Sequence, residues 1–148
     1  MEQAQAAYKR TADLLERAEL GPENVVRVVE YIATDAIGQY NSIEATRAAF
    51  FGGHSPAVNT VVVHRLFQPG ALIEIEVVAS RNSDAVEADT SDKPAFAAAR
   101  IADGTVYIST VGPYDENGEL VGEGDVEAQT RQIFHNAESI LVACGLSM

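Results

Sequence analysis

The chain has 148 residues and a mass of 15.8 kDa, 47% of them hydrophobic and 22% charged, which is the size and mixture of one ordinary domain whose core needs neither metal nor disulfide. Ten Lys and Arg against 22 Asp and Glu leave a formal charge of −12, which repels nucleic-acid phosphates and anionic lipid, so neither nucleic acid nor a membrane is expected as a partner. The single cysteine, Cys144, excludes an intrachain disulfide framework. With no apolar leader in the first ten residues and no apolar run near ~20 residues, a cytoplasmic location is expected.

From Gln3 to Ala18, the residues Ala4, Ala7, Tyr8, Thr11, Leu14, Leu15 and Ala18 recur at spacings of three and four and predict a helix with a thin, Ala-rich apolar face. Gly21-Pro22-Glu23-Asn24 breaks it, and the β-branched run from Val25 to Ile32 reads as a buried strand. A second helix is expected from about Ala36 to Phe50, ended by Gly52-Gly53-His54-Ser55-Pro56. Two strands follow, Val58 to Arg65 and Leu72 to Ala79, with Gln68-Pro69-Gly70 as the reversal between them. In the second, Ile73, Ile75 and Val77 alternate with Glu74 and Glu76. The period of two puts those carboxylates on one face, about 7 Å apart along the strand.

The stretch from Ser80 to Pro94 is polar and acidic and reads as a mobile linker. Ala95 to Ile101 and Thr105 to Thr110 then predict a hairpin around Ala102-Asp103-Gly104, a turn of the kind tight hairpins favour. Asp115-Glu116-Asn117-Gly118 is another turn, and it lacks the ligand pattern of a calcium loop. The chain ends in a helix with Val126, Thr130, Ile133, Phe134, Ala137, Ile140, Leu141 and Cys144 at helical spacing, the better apolar face of the two terminal helices, with Cys144 expected as a buried, inert thiol. The order α-β-α-β-β, linker, β-β-α predicts an α+β fold, one sheet with helices on one face. His54, His64 and His135 have no second ligand at a metal spacing, so neither a metal nor a cofactor is expected.

The segment Gly124-Asp125-Val126-Glu127-Ala128-Gln129-Thr130-Arg131-Gln132-Ile133-Phe134-His135-Asn136-Ala137, with Gly145-Leu146-Ser147, resembles the first helix of the RidA/YjgF family of enamine/imine deaminases. Gly104 to Thr110, with Pro113 and Gly118-Glu119, resembles that family's opening hairpin. Asn24 to Ile32, Phe50-Phe51, Ser55-Pro56-Ala57, Arg65-Leu66 and Leu72 to Glu76 are similar to the rest of the pattern. The resemblance implies a single domain, 1–148, of the RidA/chorismate-mutase-like kind, a mixed sheet with helices packed on one face. Its order is circularly permuted: 1–80 carry the second part of the usual order, 81–94 a linker, and 95–148 the hairpin and first helix. Domain termini that lie close together make such rewiring tolerable.

The first-helix pattern also occurs at both ends. Gln3 aligns with Gln129, Tyr8 with Phe134, Leu14 with Ile140, Leu15 with Leu141 and Leu20 with Leu146. About 22 residues are thus duplicated, leaving about 126, a normal domain size, so the chain reads as a window cut from a tandem pair. Two helices then compete for one groove. The expectation is that both are ordered, with one packing outside the groove or on another subunit.

The resemblance further implies a homotrimer with small-molecule sites between subunits and an arginine that clamps a substrate carboxylate. Here that place holds Val58, which cannot imitate a bidentate guanidinium. Phe96 stands where relatives have tyrosine, Glu44 where they often have asparagine, Thr60 where some have cysteine, and Ser109-Thr110 where the family has Ser-Gly. Asn59 lies between the two altered strand positions. Glu74 matches the family glutamate, and a carboxylate beside an apolar cleft is suited to holding or polarising a water or moving a proton. The plain alternative is that a Glu alternating with Ile faces solvent. Three functions follow: a RidA-like enzyme on a reactive enamine, imine or related small molecule; a noncatalytic ligand-binding or assembly module; or an isomerase or cyclase in a specialised pathway. Ribonuclease activity, an older label of the family, is opposed by the net charge.

Overall fold

The first helix in the computed structural model, α1 (Glu2–Arg17), buries Ala4, Tyr8, Thr11 and Leu15, the stripe that steps of three and four bring to one side. The structure describes residues 2–86 and 97–148. Glu19 turns left-handed with φ 57°, and the Leu20 amide donates back to the Leu15 carbonyl at 3.0 Å. A 3-10 turn, Pro22–Asn24, then feeds β1 (Val25–Ala33).

β1 is the middle strand of a three-stranded mixed sheet. It pairs in parallel with β2 (Ala57–Val63) and antiparallel with β3 (Ile73–Ala79), so the two strands that the Gln68-Pro69-Gly70 turn separates straddle β1 and do not pair with each other. A register shift between Val25 and Arg27 lets Val25 and Val28 face the same layer although three residues separate them. Between β1 and β2 a 3-10 segment, Thr34–Gln39, leads into α2 (Tyr40–Phe51). The helix expected to begin at Ala36 therefore starts four residues later. Its end at Gly52, φ 56°, is where a left-handed cap favours glycine.

α1 and α2 cover one face of this sheet. Tyr8, Leu15, Phe51, Val25, Val28 and Val58 form one cluster, and Ala4, Ala36, Ile43, Ile32 and Ile73 the other. The rings of Tyr8, Phe50 and Phe51 stack at centroid distances of 4.9 to 6.1 Å.

The remainder of the chain forms a second, antiparallel sheet in the order β4 (Ser83–Val86), β5 (Ala99–Ala102), β6 (Thr105–Ile108). The β5–β6 turn is the Asp103-Gly104 pair, φ 49° and 77°, as the hairpin pattern requires. β4 lies inside the segment read as a linker. Its backbone finds partners along β5, and ladder hydrogen bonds outweigh its polar composition. Residues 87–96, which include the rest of that segment after β4 and Phe96, lie outside the described residues. α3 (Val126–Ala143) is capped by the Asp125 carboxylate, which accepts from the Glu127 and Ala128 amides. None of its residues is fully buried; Gln132 and Asn136 hold it to the carbonyls of Gly112 and Tyr114. The groove on the sheet thus belongs to the N-terminal copy of the repeated helix, despite the larger apolar side chains of the C-terminal one.

Candidate functional site

Residues paired across neighbouring strands share a face, so the register sorts the sequence-predicted set. Val28, Val58 and Val77 face the helices, as do Glu30, Thr60 and Ile75. Val29, Asn59 and Glu76 face the other way, with Tyr31, Val61 and Glu74. Val58 and Thr60 are therefore separated from Glu74 by the thickness of the sheet. Val58 is 3% exposed, a core residue beneath α1, whereas Glu74 and Glu76 are exposed on the open face.

Ser109 and Thr110 meet β2. The Ser109 hydroxyl accepts from the Val58 amide at 2.8 Å and donates to the Ala97 carbonyl at 2.5 Å. The Thr110 amide donates to the Val58 carbonyl at 2.9 Å. Asn59 accepts from Arg27 Nε at 3.1 Å and donates to the Ile108 carbonyl at 3.3 Å, so its amide ties β1, β2 and β6 together. These contacts bring Val58, Asn59, Ser109 and Thr110 into one place at the junction of the two sheets.

Glu44 and Thr60 border a different constellation, which the sequence reading passed over. Glu30 and Arg47 are fully buried between sheet and helices. Arg47 Nη1 donates to Glu30 Oε2 at 2.6 Å, and the Tyr8 hydroxyl to Glu30 Oε1 at 2.7 Å. The Thr60 hydroxyl donates to Glu30 Oε2 and Arg47 Nη2 to Glu44 Oε1, each at 3.4 Å. Burial and then the Glu30 charge push the Tyr8 phenol far above its usual range, so it stays a donor. Burial is the largest single influence on the Arg47 guanidinium and would lower it, but Glu30, Tyr8 and Tyr40 together leave it raised. Among the described residues, Arg47 Nε is the one buried side-chain polar atom without a hydrogen bond. A charge inside the apolar run Val28-Val29-Glu30-Tyr31-Ile32, and an Arg spaced by four from both Ile43 and Phe51, were the signals for this pair, because a buried charge demands a partner.

A second polar junction joins the two sheets. His54 Nε2 bonds the Val25 carbonyl at 2.7 Å, and its Nδ1 lies 3.2 Å from Arg100 Nη2. Arg100 Nε donates to the Ser55 carbonyl at 2.7 Å. Since the guanidinium can only donate, His54 is the Nε2–H tautomer, neutral and accepting at Nδ1. Burial is the main cause that holds its pKa below the ordinary value.

Two clefts open on the helix side. One of about 320 Å³ lies among Gln3, Ala4, Ala36, Ile43, Leu72 and Ile73. The other, about 470 Å³, is a shallow groove between α1 and α2 lined by Gln5, Asn41, Ser42, Ala45, Thr46 and Ala49. Neither is lined by a residue of the predicted set. Among the described residues no three His, Cys, Asp or Glu gather as metal ligands, and no helix is long and apolar enough to cross a membrane. Cys144 is half-buried, not buried, as are Ile133, Ala137, Ile140 and Leu141 of the same stripe, and partial burial pushes its thiol up.

Among solved structures, a "putative endoribonuclease" of Thermotoga maritima is similar to this chain at 23% identity and TM-score 0.49, over 53% of this chain and 60% of that one. Rv2704 of Mycobacterium tuberculosis, a member of the highly conserved YjgF/YER057c/UK114 family, is similar at 30% identity and TM-score 0.48, over 51% of this chain and 63% of that one. The chain thus spans less than two thirds of the length of either. The family model described as Endoribonuclease L-PSP matches residues 1–81 and 90–148. That match takes in both the helix-covered sheet and the tail hairpin with α3, and the chain belongs to the RidA/YjgF family.

Proposed function

We propose that the protein acts on a reactive enamine, imine or related small molecule, with Glu74 holding or polarising water or moving a proton, in a homotrimer whose neighbouring copy covers the open face of the sheet. The observation that carries this reading is the place of Glu74, exposed on the face away from α1 and α2, opposite Tyr31, with exposed Val61 on the far side of that tyrosine. A second chain laid on that face would remove both the valine and the carboxylate from water, the setting in which a carboxylate serves as acid or base. Val58 lies in the core of every copy, so its part in this reading is the lack of a guanidinium at that position and not contact with the substrate. The reading takes the element order as permuted, supported by the hydrogen bonds of Ser109 and Thr110 to Val58. With Val58 in the clamp position, a substrate without a carboxylate is favoured.

Ammonia release from neutral and carboxylate-bearing imines tests this. The expected result is turnover of neutral imines that falls about 100-fold or more in Glu74→Ala, with both proteins sedimenting as trimers. Undiminished turnover in Glu74→Ala removes the role of Glu74, and full hydrolysis of 2-iminopropionate-like acids removes the apolar clamp. One observation favours a noncatalytic ligand-binding or assembly module instead: the single chain places Val58 in its core and Glu74 on the opposite face. Trimers that turn over no imine support that reading.

A further inference from the structure

α1 and α3 carry the same docking pattern, yet only α1 lies in the groove. Both end alike: Leu20 donates to the Leu15 carbonyl at 3.0 Å after left-handed Glu19, and Leu146 to the Leu141 carbonyl at 2.9 Å after left-handed Gly145. Gln3, which clamps the β3 approach through Leu72 N and Gly70 O, has Gln129 as its counterpart. Leu15 has Leu141 and Leu14 has Ile140. Ala4 and Thr11 correspond to Thr130 and Ala137, and both threonine hydroxyls are spent on their own helices, at Ala7 O and Val126 O. In size Thr130 exceeds Ala4 and Ala137 falls short of Thr11, and at the position that reaches Glu30 Phe134 stands for Tyr8.

We propose that the buried Tyr8–Glu30–Arg47 cluster is a selector, admitting the helix that brings a phenol and rejecting its duplicate. Arg47 satisfies one oxygen of Glu30 and Tyr8 the other. Were α3 seated in the groove, its phenyl ring would leave Glu30 Oε1 without that donor in a fully buried place, a penalty that shifts docking by roughly tenfold or more. Phe134 has the same ring as Tyr8, so at this position apolar contact does not discriminate; the hydroxyl does. The consequence is that α3 keeps Phe134 outside the groove, exposed as observed.

Hydrogen exchange of the full chain, read separately over Glu2–Arg17 and Val126–Ala143, tests the proposal, with the slowest β1 amides reporting the global fold. In the wild type α1 is the protected helix. Tyr8→Phe combined with Phe134→Tyr exchanges the phenols and leaves the tether of α1 to β1 intact; protection is expected to pass to α3, the ratio moving roughly a hundredfold. Phe134→Tyr alone alters an exposed side chain and keeps the fold, and is expected to raise protection of α3. Loss of a merely structural hydrogen bond would weaken α1 without any gain in α3. An unchanged α3 in both variants overturns the proposal and leaves the short tether as the cause.

Discussion

Glu30 is the residue on which the helix-covered layer turns. A carboxylate with no exposure has to be matched by a cation and by further donors, because desolvation of an ion costs several kcal/mol. Arg47 and Tyr8 supply the match from two different helices, so the cluster locks α1, α2 and β1 into one arrangement. Arg47→Met alone is expected to lower stability by about 3–5 kcal/mol, since it strands a buried charge. The triple change Tyr8→Phe, Glu30→Leu, Arg47→Met leaves nothing unpaired and is expected to recover most of that loss. Urea unfolding with constant slope decides between this and an additive picture, in which the triple variant would be the least stable of all.

At the scale of elements, α3 is a helix whose apolar residues are at most half-buried, held also by its cap and by side-chain amides. Its cap is the Asp125 carboxylate, which accepts from two otherwise orphaned amides at 3.0 and 3.1 Å. Asp125→Ala is expected to cost about 1 kcal/mol locally. As no α3 side chain is fully buried, the loss should appear as fraying of α3, with faster exchange there and an unchanged global unfolding midpoint. An equal fall in the global midpoint would mean that α3 folds as one unit with the sheet. α1 behaves in the opposite way, because the same repeated pattern is buried there, and a pattern of spacing alone does not distinguish the two.

For the whole molecule, cohesion between the two sheets runs through His54, Arg100, Ser55 and the Val25 carbonyl as well as through the Val58–Ser109 junction. His54 sits beneath its ordinary pKa of 6.5, chiefly from burial, with Arg100 opposing protonation and the Val25 carbonyl and Glu23 favouring it. The folded chain therefore binds this proton less readily than the unfolded chain. Its contribution is complete above about pH 6.5 and declines as pH falls through that value toward the lower folded pKa. On Arg100 itself burial is the larger influence and lowers it, while the charge of Asp84 on β4 acts the other way. Thermal unfolding between pH 8 and 5 should show the decline in the wild type and a flatter profile in His54→Gln. Identical profiles would remove His54 from the linkage.

The class of the fold was legible in the chain: the two periods, 3.6 and 2, the Asp103-Gly104 turn and the Gly52 helix end are local properties, set by backbone sterics and by which side chains repeat. So was the alternation that puts Glu74 and Glu76 together on one face. The pairing of β2 and β3 with β1 and not with each other, and the recruitment of Ser83–Val86 into a ladder, depend on partners distant in sequence. The separation of Val58 from Glu74 has the same origin, since it follows from the register of three strands. Amino-acid order by itself determined that two equivalent amphipathic helices would form and that one strand would bury a charge. Only tertiary structure decided which helix covers that charge, because a buried carboxylate is satisfied by the particular hydroxyl and guanidinium that reach it, and such reach exists only once helices and sheet are packed.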